Sequence, residues 1–201
     1  MKYMKCTELV TGDHVLIRRG LTVVDGMLKK LEDGQRIEIV DAATILKFLR
    51  LFGDHYHQAM EENVLFPALL RVAPHDTTLR QLASEHGDER LLVEQIEEAL
   101  MFKRGMVFFH SSHQLTTLLR NHCDREETIL HNLAEPFLSV EQDEAIVAEF
   151  TTAREQAVAF ANFSKLERKY LQLGGRVRTP VPQTSSAFYG ADEDVPPAAG
   201  M

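Results

Sequence analysis

The sequence predicts an all-α fold on two observations. Apolar residues recur every three or four positions along five segments, which is the spacing of one face of an α-helix. The chain also holds two copies of a His-x3-Glu pattern, each preceded by a lone histidine: His14 with His57-x3-Glu61, and His86 with His122-x3-Glu126. Residues around the two copies match as well, so we expect one helical hairpin to be used twice.

The first two predicted helices carry the first copy of the pattern. They cover about residues 8–33 and 41–66. Pro67 is expected to end or kink the second helix, because proline lacks the backbone N–H that a helix interior needs. Gly53, one turn before the histidine, is expected to leave room near the site. The predicted N-caps are Asp41 for the second helix and Thr7, Thr11 or Asp13 for the first.

The remaining three predicted helices carry the second copy and extend beyond it. A connection at 74–78 precedes the third helix, which ends near 104–105. The fourth ends at 135–136, where a proline follows a glutamate. Glycine, proline, serine and alanine dominate after the fifth helix, so no further helix or strand is expected there. The fifth helix is predicted over 140–173, the folded domain over 1–173 and an irregular tail over 174–201.

The spacing of the histidines and glutamates indicates a metal site. A four-residue step on an α-helix brings an imidazole and a carboxylate to one face, one turn apart. Burying Glu61 and Glu126 among leucines is costly unless positive charge compensates, and Arg90 is the only basic candidate on these faces. Two divalent metal ions would satisfy the whole set, and this mixture of ligands suits iron, manganese or zinc. The predicted ligands are His14, His57, Glu61, His86, His122 and Glu126.

Several neighbouring residues have more than one open role. Three roles are open for Glu89: an extra ligand, a group that orients a ligand or, as we favour, the partner of an arginine such as Arg90. Glu62 and Glu127 either orient imidazole N–H groups of a neighbouring helix or remain solvated. Tyr56 either hydrogen-bonds near the centre or packs between helices. The other histidines are expected at exposed or rim positions: His55, His75, His110, His113 and His131.

The composition argues against several classes of partner. The net charge is -8 and no basic cluster stands out, which argues against binding to nucleic acid. No segment approaches the ~20 apolar residues that span a bilayer. The first residues also lack the apolar stretch of a signal peptide, so we expect no membrane partner and a cytoplasmic location. Cys6 and Cys123 are the only cysteines, and free thiols are expected.

The order of the ligand candidates resembles that of the hemerythrin-like, or HHE cation-binding, domain. The likeness covers about residues 8–150 and is strongest over 52–67 and 122–130. It implies an up-down four-helix bundle, to which this chain adds a C-terminal helix and an irregular tail. It also implies a non-haem di-iron centre held by the six predicted ligands, with glutamates that are able to bridge the two irons. Manganese and zinc are the alternative metals.

Three positions depart from the family pattern. Invertebrate oxygen-carrying hemerythrins have a second histidine in the third helix, where this chain has Arg90, and an aspartate where it has Glu127. Gln58 stands where many bacterial relatives have a histidine. These departures leave a more open and more symmetric centre, so plain reversible oxygen carriage is not expected. The ferritin-like alternative requires Glu-x-x-His pairs, and the sequence has none.

Two functional hypotheses follow for such a centre. The first is a redox-active di-iron protein whose partners are small oxidants: oxygen, hydrogen peroxide or nitric oxide. This hypothesis includes a peroxide- or oxygen-reducing, catalase-like activity. The second is an iron- or oxygen-sensing module without turnover, which acts through a protein partner that the sequence does not identify. A metal-free helical interaction protein ranks last, because it leaves the buried carboxylates without compensation.

Overall fold

The computed structural model describes residues 4–171 and the backbone of residues 187–188. Helices dominate the described residues, as predicted. A short antiparallel pairing joins residues 37–38 to residues 187–188, with Ile37 opposite Phe188, although no strand was predicted in the tail. The elements are α1 (Lys5–Glu32), β1 (Ile37–Glu38), α2 (Ile39–Phe48), α3 (Phe66–Val72), α4 (Thr78–Met101), α5 (Gly105–Phe137), α6 (Val140–Ala157), α7 (Ser164–Leu171) and β2 (Ala187–Phe188).

Two π-helical segments connect α2 to α3, over Leu49–Gln58 and Glu61–Leu65. A π-helix bonds residue i to i+5, and π-helical turns inside helices are frequent at functional sites. Pro67 was expected to end or kink this helix, but it lies in the first turn of α3, and the helix continues to Val72. Proline is tolerated in a first turn because the missing N–H has no partner within the helix there.

The start of α1 differs from the prediction because its cap comes from another helix. The backbone N–H groups of Lys5 and Cys6 donate to the two carboxylate oxygens of Asp143, at 3.0 and 2.9 Å. None of the threonines or aspartates near this start is the N-cap, which falls on Met4. A carboxylate beside the exposed N–H groups also complements the positive end of the helix dipole.

The other helix boundaries agree with the prediction to within a few residues, but the cap of the second helix and the continuity of the fifth differ from it. The second helix begins at Ile39 rather than after Asp41, whose carboxylate accepts a hydrogen bond from Tyr170 at 2.8 Å. The fifth predicted helix is divided, because a 3₁₀ turn (Val158–Ala161) ends it and α7 restarts at Ser164. Its start is as predicted, with Ser139 and Gln142 forming a capping box.

Buried apolar side chains form two clusters, which lie on opposite sides of the histidines along the helices. On α1, Val10 belongs to one cluster and Ile17 to the other, with His14 between them. The histidines and glutamates therefore form a polar layer between two apolar cores, which keep bulk water away from that layer. The same order holds on α4 (Leu82, His86, Val93) and on α5 (Leu119, His122, Leu130).

None of the helices over residues 4–171 combines the length and the apolar composition that crossing a bilayer requires.

Truncation after Leu173 is expected to leave helicity and metal content unchanged. The described tail residues pair with only two residues of β1 (Ile37–Glu38), and the loss of so few hydrogen bonds costs roughly 1–3 kcal/mol. The melting temperature should therefore fall by less than about 10 °C. Circular dichroism and elemental analysis of the truncated and full-length chains check this. Precipitation or loss of metal would show that the tail is structural.

Candidate metal centre

All six predicted ligands meet in the polar layer. Four of them are fully buried, and His57 and His122 are each 2% exposed. Their imidazole nitrogens and carboxylate oxygens lie within 4.8 Å of one another inside two groups that share Glu126. One group is His14, His57, Glu61 and Glu126, and the other is His86, His122 and Glu126.

Glu61 lies between a histidine of its own helix and a histidine of another. Its Oε1 is 3.1 Å from Nε2 of His57, one turn earlier in the chain. Its Oε2 is 3.5 Å from Nε2 of His86 on α4. The four-residue step thus holds one histidine beside the carboxylate, and helix packing supplies the other.

Glu126 repeats this arrangement in the second copy of the pattern. Its Oε2 is 3.5 Å from Nε2 of His122 and 3.1 Å from Nε2 of His14 on α1. Each lone histidine therefore belongs spatially to the glutamate of the other copy. This exchange joins the two halves of the centre through both carboxylates.

The donor atoms of this cluster fit divalent cations. Among the described residues, no group is in hydrogen-bonding geometry with either carboxylate oxygen of Glu61 or Glu126, or with Nε2 of His14. Burying polar atoms without partners costs several kcal/mol in total, at about 1–3 kcal/mol each. Carboxylate oxygens and neutral imidazole nitrogens are ligands of iron, manganese and zinc. A cation at this position would satisfy atoms that the protein leaves unpaired.

The pKa values show how the centre balances its charge without a cation. Burial lowers the pKa of His86 to about 4, which leaves the neutral form that ligates metals. Burial raises the pKa of Glu61 well above its ordinary value. For His122, burial is outweighed by Glu126 and Glu89, which raise its pKa to about 9. The metal-free protein therefore holds protons that a bound cation would replace.

Each of the four histidines in the polar layer has a further carboxylate near its second ring nitrogen, and we call these four groups the outer carboxylates. The Nδ1 atom of His14 is 2.9 Å from Oε1 of Glu127, and that of His86 is 2.7 Å from Oε1 of Glu62. Such carboxylates hold the ring orientation and direct the other nitrogen to the metal. For Glu62 and Glu127, the orienting role is therefore the one that the geometry supports. The other two contacts join His122 to Glu85 at 2.9 Å and His57 to Asp13 at 3.7 Å.

An arginine holds each of these outer carboxylates in turn. Arg18 and Arg90 each stand four residues after a lone histidine, and each donates to the carboxylate that contacts that histidine, at 2.7 Å. Arg90 therefore has the same structural role as Arg18, although it stands where carrier hemerythrins have a histidine. The other two pairs are Arg125 with Glu85 and Arg154 with Asp13.

Two of the outer carboxylates, Asp13 and Glu85, were missed by the sequence analysis. Each directly precedes a lone histidine, yet each contacts a histidine of a different helix. The repeated acid-histidine pair was the available signal. Residues adjacent on a helix point about 100° apart, so the pair itself does not indicate which ring the acid reaches.

Replacing Glu127 with glutamine is expected to lower metal affinity about 10- to 100-fold, because the carboxylate that orients His14 is lost. Asp124→Asn is the matched control. Asp124 accepts a hydrogen bond from the same Arg18 at 2.6 Å, but its side chain is 71% exposed. Competition with a chelator measures both affinities. Equal affinities in the two variants would contradict an orienting role for Glu127.

The structure corrects the prediction for Glu89. This residue was expected to pair with an arginine such as Arg90, but that guanidinium bonds Asp54 and Glu62 instead. Glu89 is buried and accepts a hydrogen bond from the side-chain amide of Gln58. Burial raises its pKa to about 7. The mismatch arises because neighbours in sequence project to different sides of α4.

The remaining candidates lie largely where they were expected. Four of the other histidines are exposed and His131 is half-buried. Tyr56 is buried in the apolar core, and burial together with the Asp13 carboxylate raises its pKa. Cys6 and Cys123 are both free thiols. Cys123 is buried. Burial would lower the pKa of His14, but contacts with Cys123 and Glu126 raise it.

The helices and the histidine–carboxylate layer define a cation-binding α-helical domain. The chain matches the family model of the hemerythrin HHE cation binding domain over residues 7–134, and it belongs to that family. The matched range includes all six predicted ligands and ends within α5. Comparison with curated proteins and with solved structures found no match.

Proposed function

We propose that the protein is a non-haem di-iron protein that reacts with oxygen, hydrogen peroxide or nitric oxide in a redox or oxidative-stress role. The observation that carries this proposal is the pair of buried glutamates, each lying between histidines of two helices with no hydrogen-bond partner among the described residues. The helices that supply these groups fit an up-down four-helix bundle, to which the C-terminal helical region is added.

The six residues would divide into two similar halves. His14 and His57 would hold one iron, and His86 and His122 the other. Both glutamates reach histidines of both halves, so they are the candidates for bridging. Iron in such a centre supplies one-electron redox chemistry and open positions for a small ligand.

The chain's own residues prepare this centre in two ways. The outer carboxylates and their arginines fix the imidazole rings of His14, His86 and His122 before any metal binds, so little reorganisation is needed. The two apolar clusters on either side keep water out, which strengthens electrostatic interactions inside the layer. Helix α4 supplies one histidine to the centre, and one turn after it Arg90 bonds Asp54 and Glu62.

Metal analysis of aerobically purified protein, followed by spectroscopy, tests this proposal. Two irons per chain are expected, with an optical spectrum that bleaches on anaerobic reduction. Oxygen or hydrogen peroxide should then restore the spectrum. Zinc, manganese, or iron that does not respond to these treatments would overturn the redox assignment.

A second candidate is an iron- or oxygen-sensing module without turnover. The unpaired buried carboxylates favour it, because their cost makes the metal-free fold less stable and links occupancy to stability. A protein partner would bind differently to the metal-loaded and the metal-free forms. Iron that binds and stabilises the protein, but does not cycle between oxidation states, is the result that would select this candidate.

A further inference from the structure

A cavity of about 190 Å³ lies beside the candidate centre. Helices α1, α4 and α5 contribute an apolar wall that includes Ile17, Val93 and Leu119. A cavity of about 150 Å³ in another protein accepts benzene, so this one has room for a small organic molecule. Its more exposed members include His55, which marks the side that faces solvent.

Gly53 forms part of the cavity wall in the first π-helical segment. Apart from its chain neighbours and the nearby backbone of its own helix, a Cβ atom at this glycine would meet no atom within 4 Å. A larger side chain there would thus enter open space without a clash. Because glycine has no side chain, this part of the cavity stays open.

The polar end of the cavity is formed by Gln58 and Glu89. These residues are 4% and 2% exposed, and the Gln58 amide donates to one oxygen of Glu89. Both connect the cavity to the centre, because Gln58 follows His57 in the chain and Oε1 of Glu89 is 3.8 Å from Nδ1 of His122. That ring nitrogen is already bonded to Glu85.

Two acceptor atoms remain available at this polar end. Oε1 of Gln58 and Oε1 of Glu89 are buried and have no hydrogen-bond partner within residues 4–171. Arg90 does not reach them, since it bonds Asp54 and Glu62. Buried acceptors are stabilised by a ligand that donates hydrogen bonds. Oxygen and nitric oxide have no hydrogen to donate, whereas a hydroperoxide does.

We propose that this cavity binds a hydroperoxide, with hydrogen peroxide as the smallest member of the class, and presents it to the centre. Gly53 sets the size limit, and Gln58 with Glu89 selects for a hydrogen-bond donor. The proposal rests on the proposed function for its biological meaning. The binding itself requires only a folded, metal-loaded protein.

Zinc-substituted protein tests the binding without redox chemistry. Titration with hydrogen peroxide should shift the backbone amide resonances of residues that line the cavity, such as Val93 and Leu119, saturably in an NMR spectrum. Gly53→Leu should abolish the shift by filling the cavity, and Gln58→Leu should weaken binding about tenfold by removing an acceptor. Gly87→Leu is the matched control, because a Cβ at Gly87 also meets nothing within 4 Å and Gly87 does not line the cavity.

The second experiment uses the iron-loaded protein. In stopped-flow mixing of the reduced protein, Gln58→Leu should lower the rate of oxidation by hydrogen peroxide about tenfold relative to the rate of oxidation by oxygen. If Gly53→Leu fails to load metal, Gly53→Ala is used, and a smaller loss of peroxide affinity is expected.

The zinc and iron experiments together distinguish a failure of the proposed function from a failure of the cavity assignment. Saturable binding to the zinc protein without redox activity of the iron protein would overturn the proposed function alone. An iron protein that is oxidised normally, combined with no saturable shift or with equal peroxide binding in all variants, would overturn the assignment of the cavity.

Discussion

Replacing His57 or Glu61 with alanine is expected to cause loss of metal and a lower melting temperature of the protein purified with iron. Each residue belongs to the buried group that could hold one ion, and Glu61 also reaches His86 of the other half. Metal present at 1,000 times its dissociation constant stabilises a fold by about 4 kcal/mol. Losing that contribution should lower the melting temperature by roughly 10 °C.

Elemental analysis and thermal unfolding of the same samples measure both effects. His110→Ala is the control, because His110 is an exposed histidine outside the centre. Full metal occupancy in both variants would show that the metal assignment is wrong.

Replacing Glu61 should stabilise the protein once metal is removed, whereas it should destabilise the protein that holds iron. Burial raises the pKa of Glu61, so the folded metal-free protein holds a proton that the unfolded chain releases. Its stability therefore falls as pH rises above the ordinary carboxyl pKa. Glu61→Gln removes this penalty and should stabilise the chelator-treated protein by about 1–3 kcal/mol at neutral pH.

Denaturant unfolding in chelator at several pH values measures this difference. The gain should shrink toward zero below the ordinary carboxyl pKa, where Glu61 is protonated in both states. A metal-free Glu61→Gln protein that is less stable than wild type at neutral pH would argue that the carboxylate has a structural partner.

Mixing the reduced, iron-loaded protein with oxygen or hydrogen peroxide is expected to oxidise it, without reversible oxygen binding. Reversible carriage needs one metal closed by protein ligands and one left open, and the extra histidine of carrier hemerythrins helps to supply that asymmetry. Arg90 occupies this position and bonds Asp54 and Glu62. The two halves thus offer similar sets of candidate ligands, and in the proposed centre both would leave positions for a small ligand.

Stopped-flow spectroscopy measures this reaction. A persistent spectrum that reverses under vacuum would show reversible oxygen binding and would contradict this expectation. Arg90→His restores the histidine one turn after His86, on the same face of α4. This variant should be oxidised more slowly than Arg90→Lys, which keeps the positive charge without adding a metal ligand.

Much of the fold was predictable because helices are patterned locally. The three- and four-residue spacing placed His14, His86 and His122 on buried faces, and the structure buries all three. The four-residue step likewise brought Glu61 beside His57. The convergence of the six side chains followed from an energetic argument, since buried carboxylates require compensation.

The helix ends were less predictable, because several of their partners are distant in sequence. Asp143 caps α1 from more than one hundred residues away, and Asp41 accepts a hydrogen bond from Tyr170 instead of capping its own helix. The π-helical segments around His57 were not expected either. A periodicity argument assumes α-helical turns throughout, and the change in hydrogen bonding leaves no distinct residue pattern.

The sequence by itself determined the all-α class and the family, because both depend on residue spacing along single helices. It also identified the six side chains of the polar layer, since buried carboxylates require compensation. Only the tertiary structure decided which side chains meet across helices. It placed Glu127 against His14 and Glu62 against His86, turned Arg90 to Asp54 and Glu62, and buried Glu89 with Gln58 beside a cavity. Such contacts depend on how helices rotate and pack against one another, and spacing within one helix does not determine that rotation.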